Sequence, residues 1–321
     1  MPAFEDAGEV ASLRAAIELT LAKYGSDAAR IAAARELLTI IESTADPAER
    51  RSAIERTFHV QRVREPLLLT AYYEPEIAAR REPDETYRWP VYGRPSDLVD
   101  ADPSSLDPSC HCRHVAGRLD GTRLVSYPTR AQIDAGALAN RGLEIAWTND
   151  PVALFQLQVQ GSGWLRLPDG QRLGVRFAGT NGRPFLGLGR ILISRGLLPP
   201  TGATMPVIRQ ALEGVPDDQR EALLEENERY VFFRLSDGPP LGSLGVELTP
   251  GRAIATDPHL VPLGSIAYLV TPSVRRFVVS QDTGAAIVGP HADLFLGAGE
   301  DAELRAGTMH EHGTLYVLTS R

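Results

Sequence analysis

The sequence predicts a mainly β protein built from barrels, preceded by a block of N-terminal helices. Three observations lead there. From Leu67 onward, apolar residues fall mostly in runs of strand length bounded by Gly, Pro and Asp turns. Helical periodicity dominates only residues 8 to 60. From Tyr230 the strands recur at regular turn spacing, a pattern of barrels rather than of a parallel sheet.

The elements follow in order. "VASLRAAIELTLAKYG" has helical spacing and stops at Gly25; "SDAARIAAARELLTIIES" restarts with Ser26 as cap, and Asp46-Pro47 opens a third, short helix. "LLLTAYYEPEIAAR" (67–80) reads as a strand running into a loop at Pro75. Alternation from Phe155 to Val159 predicts a strand, broken by Gly161-Ser162-Gly163. Asp169-Gly170 then turns "WLRL" into "RLGVRF". Helices follow in "FLGLGRILISRG", ending at Gly196, and in "VPDDQREALLEENERY", started by Asp217 or Pro216. The last strands are "YVFFRL", "GVELTPGRAIAT", "SIAYLVT", "RRFVVSQ" and "GTLYVLTS". A helix, "GEDAELRAG", interrupts them, with acids in its first turn and Gly307 at its end. There is no internal repeat.

The chain of 321 residues allows one large domain or two ordinary ones, and 43% hydrophobic with 23% charged residues is a globular composition. A formal charge of −8 provides no basic footprint for nucleic acid and no polybasic membrane face, so an acidic substrate would need local recognition. No apolar run approaches membrane-spanning length. The opening "MPAFEDAGEV" shows no export signal, which fits either a cytosolic protein or a mature or trimmed form. Cys110 and Cys112 are too close for an unstrained disulfide. The string Cys110-His111-Cys112-Arg113-His114 lacks a second ligand cluster at finger spacing, and His310-Glu311-His312 reads as a turn before the last strand. No metal and no cofactor is expected.

The chemistry concentrates in "VVSQDTGAAIVGPHADLFLG" (278–297). Asp282-Thr283-Gly284-Ala285 resembles the catalytic turn of an aspartic protease. That mechanism needs two such turns sharing one proton. Only one occurs, and the 37 residues after Gly284 leave no room for a further folded half. Asp282, before a Gly-bearing turn, also suits capping of backbone N–H groups. Asp293 stands between His291 and Leu294-Phe295-Leu296, where apolar surroundings disfavour the ionised form and keep a general acid protonated.

Taken in order, "TAYYEPEI", "YPTRAQID", "LEIAWTNDPVALFQLQVQGSGWLRLPDG", "FAGTNGRPFLGLGRILISRG" and "ENERYVFF" resemble the membrane-bound lytic murein transglycosylase A (MltA) family. "IATDPHLVPLGSIAYL", "QDTGAAIVGPHADLFLG" and "LYVL" resemble its three-aspartate domain, with Asp257, Asp282 and Asp293 as the three acids. The similarity covers roughly residues 65 to 320. It implies a double-psi β-barrel domain assembled from both chain ends (66–88 and 229–321), a smaller β-barrel inserted at 89–228, a sugar groove between the two, and N-terminal helices (1–65) packed on the first. By the same resemblance Asp293 is the catalytic acid, Asp282 its support and Asp257 mainly structural. Tyr72, Tyr73, Glu74, Gln160, Gly161, Ser162, Gly163 and Gly284 match motifs that line the groove. Adjacent strand residues point to opposite faces, so at most one of Tyr72 and Tyr73 faces a ligand. Trp164 either stacks on a sugar or begins the next strand. Departures from the family pattern are Gly284-Ala285 where Gly-Gly is common, and no visible lipidated Cys.

The implied activity is that of a peptidoglycan lytic exotransglycosylase. Asp293 would protonate the glycosidic oxygen between N-acetylmuramic acid and N-acetylglucosamine, then accept the proton of the muramic C6 hydroxyl as that oxygen closes a 1,6-anhydro ring. The tethered nucleophile spares the enzyme a positioned water. The implied partners are peptidoglycan glycan strands and cell-wall complexes, with no nucleic acid. The implied setting is a periplasmic monomer, associated with the outer membrane in its full-length form. Two rivals remain. One is a hydrolase with Asp282, Glu74 or Asp150 activating water; the other is a glycan-binding module with no need of an acid at 293.

Overall fold

The computed structural model describes residues 2–24, 28–63, 66–101, 115–284 and 286–321. The Cys110–His114 string, Ala285, Gly25 and the expected cap Ser26 lie outside them. Two compact units emerge, Met1–Tyr73 with Pro239–Arg321, and Glu74–Gly238.

The chain opens with α1 (Val10–Tyr24), α2 (Ala28–Ser43), α3 (Pro47–Thr57), β1 (Phe58–Arg62) and β2 (Leu67–Glu74). The second unit holds β3 (Glu76–Arg80), β4 (Trp89–Tyr92), β5 (Val99–Ala101), β6 (Val115–Asp120) and β7 (Arg123–Ser126). A single turn, α4 (Arg130–Gln132), runs into a π turn, followed by β8 (Glu144–Thr148), α5 (Pro151–Gln160), β9 (Ser162–Arg166) and β10 (Arg172–Thr180). The unit closes with α6 (Leu188–Ser194), α7 (Met205–Glu213), α8 (Asp217–Glu225) and β11 (Val231–Leu235). The first unit then resumes as β12 (Ala253–Thr256), β13 (Ile266–Val270), β14 (Arg275–Asp282), β15 (His291–Ala298), α9 (Glu300–Thr308) and β16 (His310–Ser320).

In the first unit the strands run in the order β1-β16-β13-β14-β12-β15-β2, and β16 also pairs with β2. That last pairing closes six strands into a barrel and leaves β1 on its flank. Strand β2 comes from one end of the chain and the other five from the other end, while β12 and β14 run parallel. This is the expected double-psi architecture. The strands are buried on both faces. Ala267, Leu269, Val278, Leu315 and Val317 fill the interior. Their neighbours Ile266, Tyr268, Phe277, Val279 and Leu318 pack outward on Leu13, Ile17 and Leu37 of the helices. Alternate residues along a strand face opposite sides, so a barrel wall covered by helices reads as an unbroken apolar run. Each large side chain fully buried this way contributes roughly 1.5–3 kcal/mol. The N-terminal helices thus cover the outer wall of β13, β14 and β16.

In the second unit the order is β11-β10-β9-β3-β8-β4. A bridge between Gly93 and Phe233 brings the β4 end back to β11 and closes this barrel too. A three-stranded sheet of β5, β6 and β7 accompanies it. Because β3 pairs with β9, the chain does not enter a loop at Pro75 but resumes as strand. The inserted unit accordingly begins at Glu74 rather than 89 and ends at Gly238 rather than 228.

Residues 155–159, expected as strand, are helical. Asp150 accepts from the N–H groups of Val152 and Ala153 at 2.9 Å, Pro151 takes the first position, and Gly161 closes the helix in the left-handed region at φ 77°. Leu154 and Leu157 face the barrel core, whereas Val152 and Phe155 face α6, α7 and α8. Gln156 and Gln158 are buried as well, and Gln158 accepts from the buried Arg130. The polar residues therefore did not mark a solvent face, and period 2 was an accident of buried amides. Likewise His310-Glu311-His312 is no turn; it is the start of β16, paired with Thr70, Leu69 and Leu68. Within "GVELTPGRAIAT" only Ala253–Thr256 forms a strand.

Candidate active site

Asp282 and Asp293 meet because of register. Ala255 on β12 is paired with Asp293 on its antiparallel neighbour β15. On its parallel neighbour β14 it is paired with Asp282. Regular pairing after Ile254–Ser280 would have put Gln281 opposite Ala255; a bulge between Ile254 and Ala255 advances the strand to Asp282. Gln281 is left fully buried, donating from Nε2 to Ala16 O (3.0 Å) and Thr20 Oγ1 (2.8 Å) of α1.

On β15, Ala292, Leu294 and Leu296 point into the barrel core, which turns His291, Asp293 and Phe295 to its outer face. On β2, Leu67, Leu69 and Tyr73 point inward, and Thr70 and Tyr72 share the outer side. Tyr73 is thus a core residue, 3% exposed. Tyr72 packs its ring on Phe295, centroids 5.2 Å apart, and donates its hydroxyl to Asp282 Oδ2 at 3.0 Å. Asp282 Oδ1 accepts from the N–H and Oγ of Ser243 and from the N–H of Thr283, each at 2.8 Å. Four donors converge on a group that, ionised, can only accept. Gly284 sits in the following turn, where an added Cβ would meet Ile287 Cγ1 at 2.8 Å.

Asp293 has a different setting. Thr70 Oγ1 lies 2.6 Å from its Oδ1, and the same hydroxyl lies 2.8 Å from His291 Nε2. Burial raises the Asp293 carboxyl to about 6. The charge of Asp282 pushes in the same direction, and the Thr70 hydrogen bond opposes both. His291 is shifted down, first by burial and then by His310, against a hydrogen bond with the Ala286 backbone. Asp257 accepts from His259 N (3.0 Å) and Gly289 N (2.8 Å), and these bonds hold its carboxyl below the ordinary value. It ties down the loop that leads into β15.

The remaining expected residues gather in the second unit. Glu74 is buried, ion-paired to Arg176 at 2.9 Å, and accepts from Trp164 Nε1 at 3.1 Å. Burial outweighs these partners and raises its carboxyl above the ordinary value. The guanidinium groups of Arg172 and Arg176 lie 4.6 Å and 5.0 Å from the Trp164 ring centroid, so the indole is held by protein cations. Gln160 and Gly161 end α5, Ser162 and Gly163 start β9, and a Cβ on Gly163 would strike Pro75 O at 2.5 Å. Sequence reasoning assigned no role to Thr70, Ser243, His291 or Arg176. His291, two residues before Asp293 on one strand, was accessible to period-2 reasoning; Thr70 and Ser243, far away in the chain, were not.

A closed barrel with a desolvated aspartate on its outer face, interrupted by a second closed barrel, defines a class of two-barrel, three-aspartate proteins. Comparison with known proteins narrows this. The MltA specific insert domain matches residues 68–234 and the 3D domain matches residues 252–319; the chain belongs to the MltA family. It is 30% identical over 265 residues to the membrane-bound lytic murein transglycosylase A of Vibrio cholerae, covering 78% of this chain and 65% of that relative. The crystal structure of a membrane-bound lytic murein transglycosylase from Agrobacterium tumefaciens superposes with a TM-score of 0.76 at 35% identity, covering 90% of this chain and 85% of the other. Escherichia coli MltA with bound chitohexaose shares the fold, with a TM-score of 0.79 at 23% identity over 97% and 90% of the two chains.

Proposed function

We propose that this protein cleaves the β-1,4 bond between N-acetylmuramic acid and N-acetylglucosamine in peptidoglycan without hydrolysis, with Asp293 as the single acid and then base. The carrying observation is the Asp293 carboxyl, raised to about 6 by burial and by the neighbouring Asp282. A group with that value is substantially protonated in mildly acidic surroundings and ready to be a base once it has donated. The protonated carboxyl gives its hydrogen to the glycosidic oxygen as the C1–O bond breaks. The carboxylate then takes the C6 hydroxyl proton as that oxygen bonds to C1, leaving a 1,6-anhydro end. Asp282 contributes its charge, and Tyr72 and Ser243 hold it in place.

The names of the relatives support murein as substrate, and their description as membrane-bound supports a periplasmic, outer-membrane-associated setting. No described helix is long and apolar enough to cross a membrane. The hydrolase alternative needs a second carboxylate free to activate water. Glu74 is tied to Arg176, Asp150 caps α5 and pairs with Arg209 at 2.9 Å, and Asp282 is held by four donors. None of the three is disposed for that task.

Mass analysis of muropeptides released from purified peptidoglycan tests the reading. Products one water lighter than hydrolysed muropeptides are expected, reducing ends would indicate a hydrolase, and binding without release would indicate a glycan-binding module. Asp293→Asn is expected to abolish release while retaining glycan binding, and Asp282→Asn to slow it less. Unchanged turnover in Asp293→Asn would sink the assignment.

A further inference from the structure

The Thr70 hydroxyl carries one hydrogen and has two partners that can each take it. Given to Asp293 Oδ1, it leaves His291 Nε2 in need of a hydrogen of its own. Given to Nε2, it leaves the Thr70 oxygen to accept from Oδ1, which must then be protonated. The far side of the ring selects between these states. A ring that carries its hydrogen on Nδ1 presents Nε2 bare to the Thr70 hydroxyl.

We propose that neutral His291, acting through the Thr70 hydroxyl, holds Asp293 in its acid form, and that the hydroxyl turns to the carboxylate once the proton has left. The proposal rests on Asp293 being the acid. At rest, Asp293 Oδ1–H donates to Thr70 and Thr70 donates to Nε2. When the carboxyl proton passes to the glycosidic oxygen and the C1–O bond breaks, the Thr70 hydrogen swings from Nε2 to Oδ1 and supplies the new carboxylate with a donor. When the C6 hydroxyl proton arrives on Asp293 and the C6 oxygen bonds to C1, it swings back. The protein ends with the protons it began with. His291 needs no contact with the sugar; it is a positioning residue.

Charges on the adjoining strands favour the resting state. His310 on β16, opposite Thr70 in register, disfavours a cationic His291. Asp282 on β14 favours a protonated Asp293. The charged groups of α9, which packs on β15 (Glu300, Asp301, Glu303 and Arg305), enter neither balance.

The experiment combines nitrogen-15 NMR of the His291 ring, carbon-13 titration of the Asp293 carboxyl, and the pH profile of turnover. The expected ring is neutral with hydrogen on Nδ1. His291→Leu removes the acceptor and should move the Asp293 titration, and the alkaline limb of kcat, about one pH unit toward acid. His291→Gln, whose amide oxygen accepts, should keep both near their original positions. In a Thr70→Val background, His291→Leu should add no shift. Hydrogen on Nε2, an unmoved titration in His291→Leu, or a full shift persisting in Thr70→Val would each overturn the proposal. If His291→Leu does not fold, the ring tautomer of the unaltered protein decides alone. Turnover surviving Asp293→Asn would instead remove the acid assignment, while the NMR readings still report on the chain.

Discussion

At Asp293 the folded chain binds a proton between the ordinary carboxylate value of 3.8 and about 6, a range in which the unfolded chain has already released it. Folding stability therefore falls as pH rises through that window and is level above it. The carboxylate at neutral pH costs about 1–3 kcal/mol, allowing for its partial exposure to solvent. Asp293→Asn, of the same shape and without charge, is expected to be more stable than the parent at neutral pH, with the gap shrinking as pH falls toward 3.8. Denaturant midpoints across pH will show it; a constant gap would mean burial is not the cause. The same residue scale explains why Glu74 is a framework residue. Its carboxylate is committed to Arg176 and Trp164, a commitment that an exposed-looking "YYEP" motif does not advertise.

Among the elements, α5 and the β12 bulge show how neighbours override pattern. The α5 boundaries were written locally in Asp150-Pro151 and Gly161, yet alternation suggested a strand because both polar partners, Gln156 and Gln158, are buried. Asp150→Ala removes two cap bonds and the Arg209 ion pair, and should destabilise the second unit by about 1–2 kcal/mol. Thermal unfolding of the variant checks this, and an unchanged midpoint would show that packing between the barrel and α6–α8 suffices. The bulge at Ile254 and Ala255 brings Asp282 rather than Gln281 opposite the residue that also faces Asp293. Local pattern does not distinguish those two registers, since both residues are polar; in the folded chain Gln281 finds its partner in Thr20 of α1.

For the molecule as a whole, each unit carries its own barrel and core, and the first unit is completed by its N-terminal segment. Phe4 is fully buried between Tyr268 and Phe277. Arg252, 1% exposed, pairs with Asp6 at 2.7 Å and donates to Ser12 Oγ, Glu9 O and Phe277 O. Arg252→Leu would strand a buried carboxylate and is expected to cost about 3–5 kcal/mol. Hydrogen exchange should find the protection of residues 4–24 lost first; uniform loss across the barrel would show instead that segment and barrel unfold as one.

Read alone, the sequence determined what depends on a few consecutive residues. It placed the Asp46-Pro47 helix start, the Asp169-Gly170 hairpin, the acidic first turn of α9 and the opposite faces of Tyr72 and Tyr73. Its ordered motifs also determined the family. Tertiary structure decided what depends on closure and register. Thr70 reaches Asp293 across 223 residues because β2 and β15 adjoin in a closed barrel. Caps, turns and strand alternation act over a turn or two of chain. A hydroxyl shared between a carboxylate and an imidazole exists only once distant strands have paired, in a register set by the packing of the entire wall.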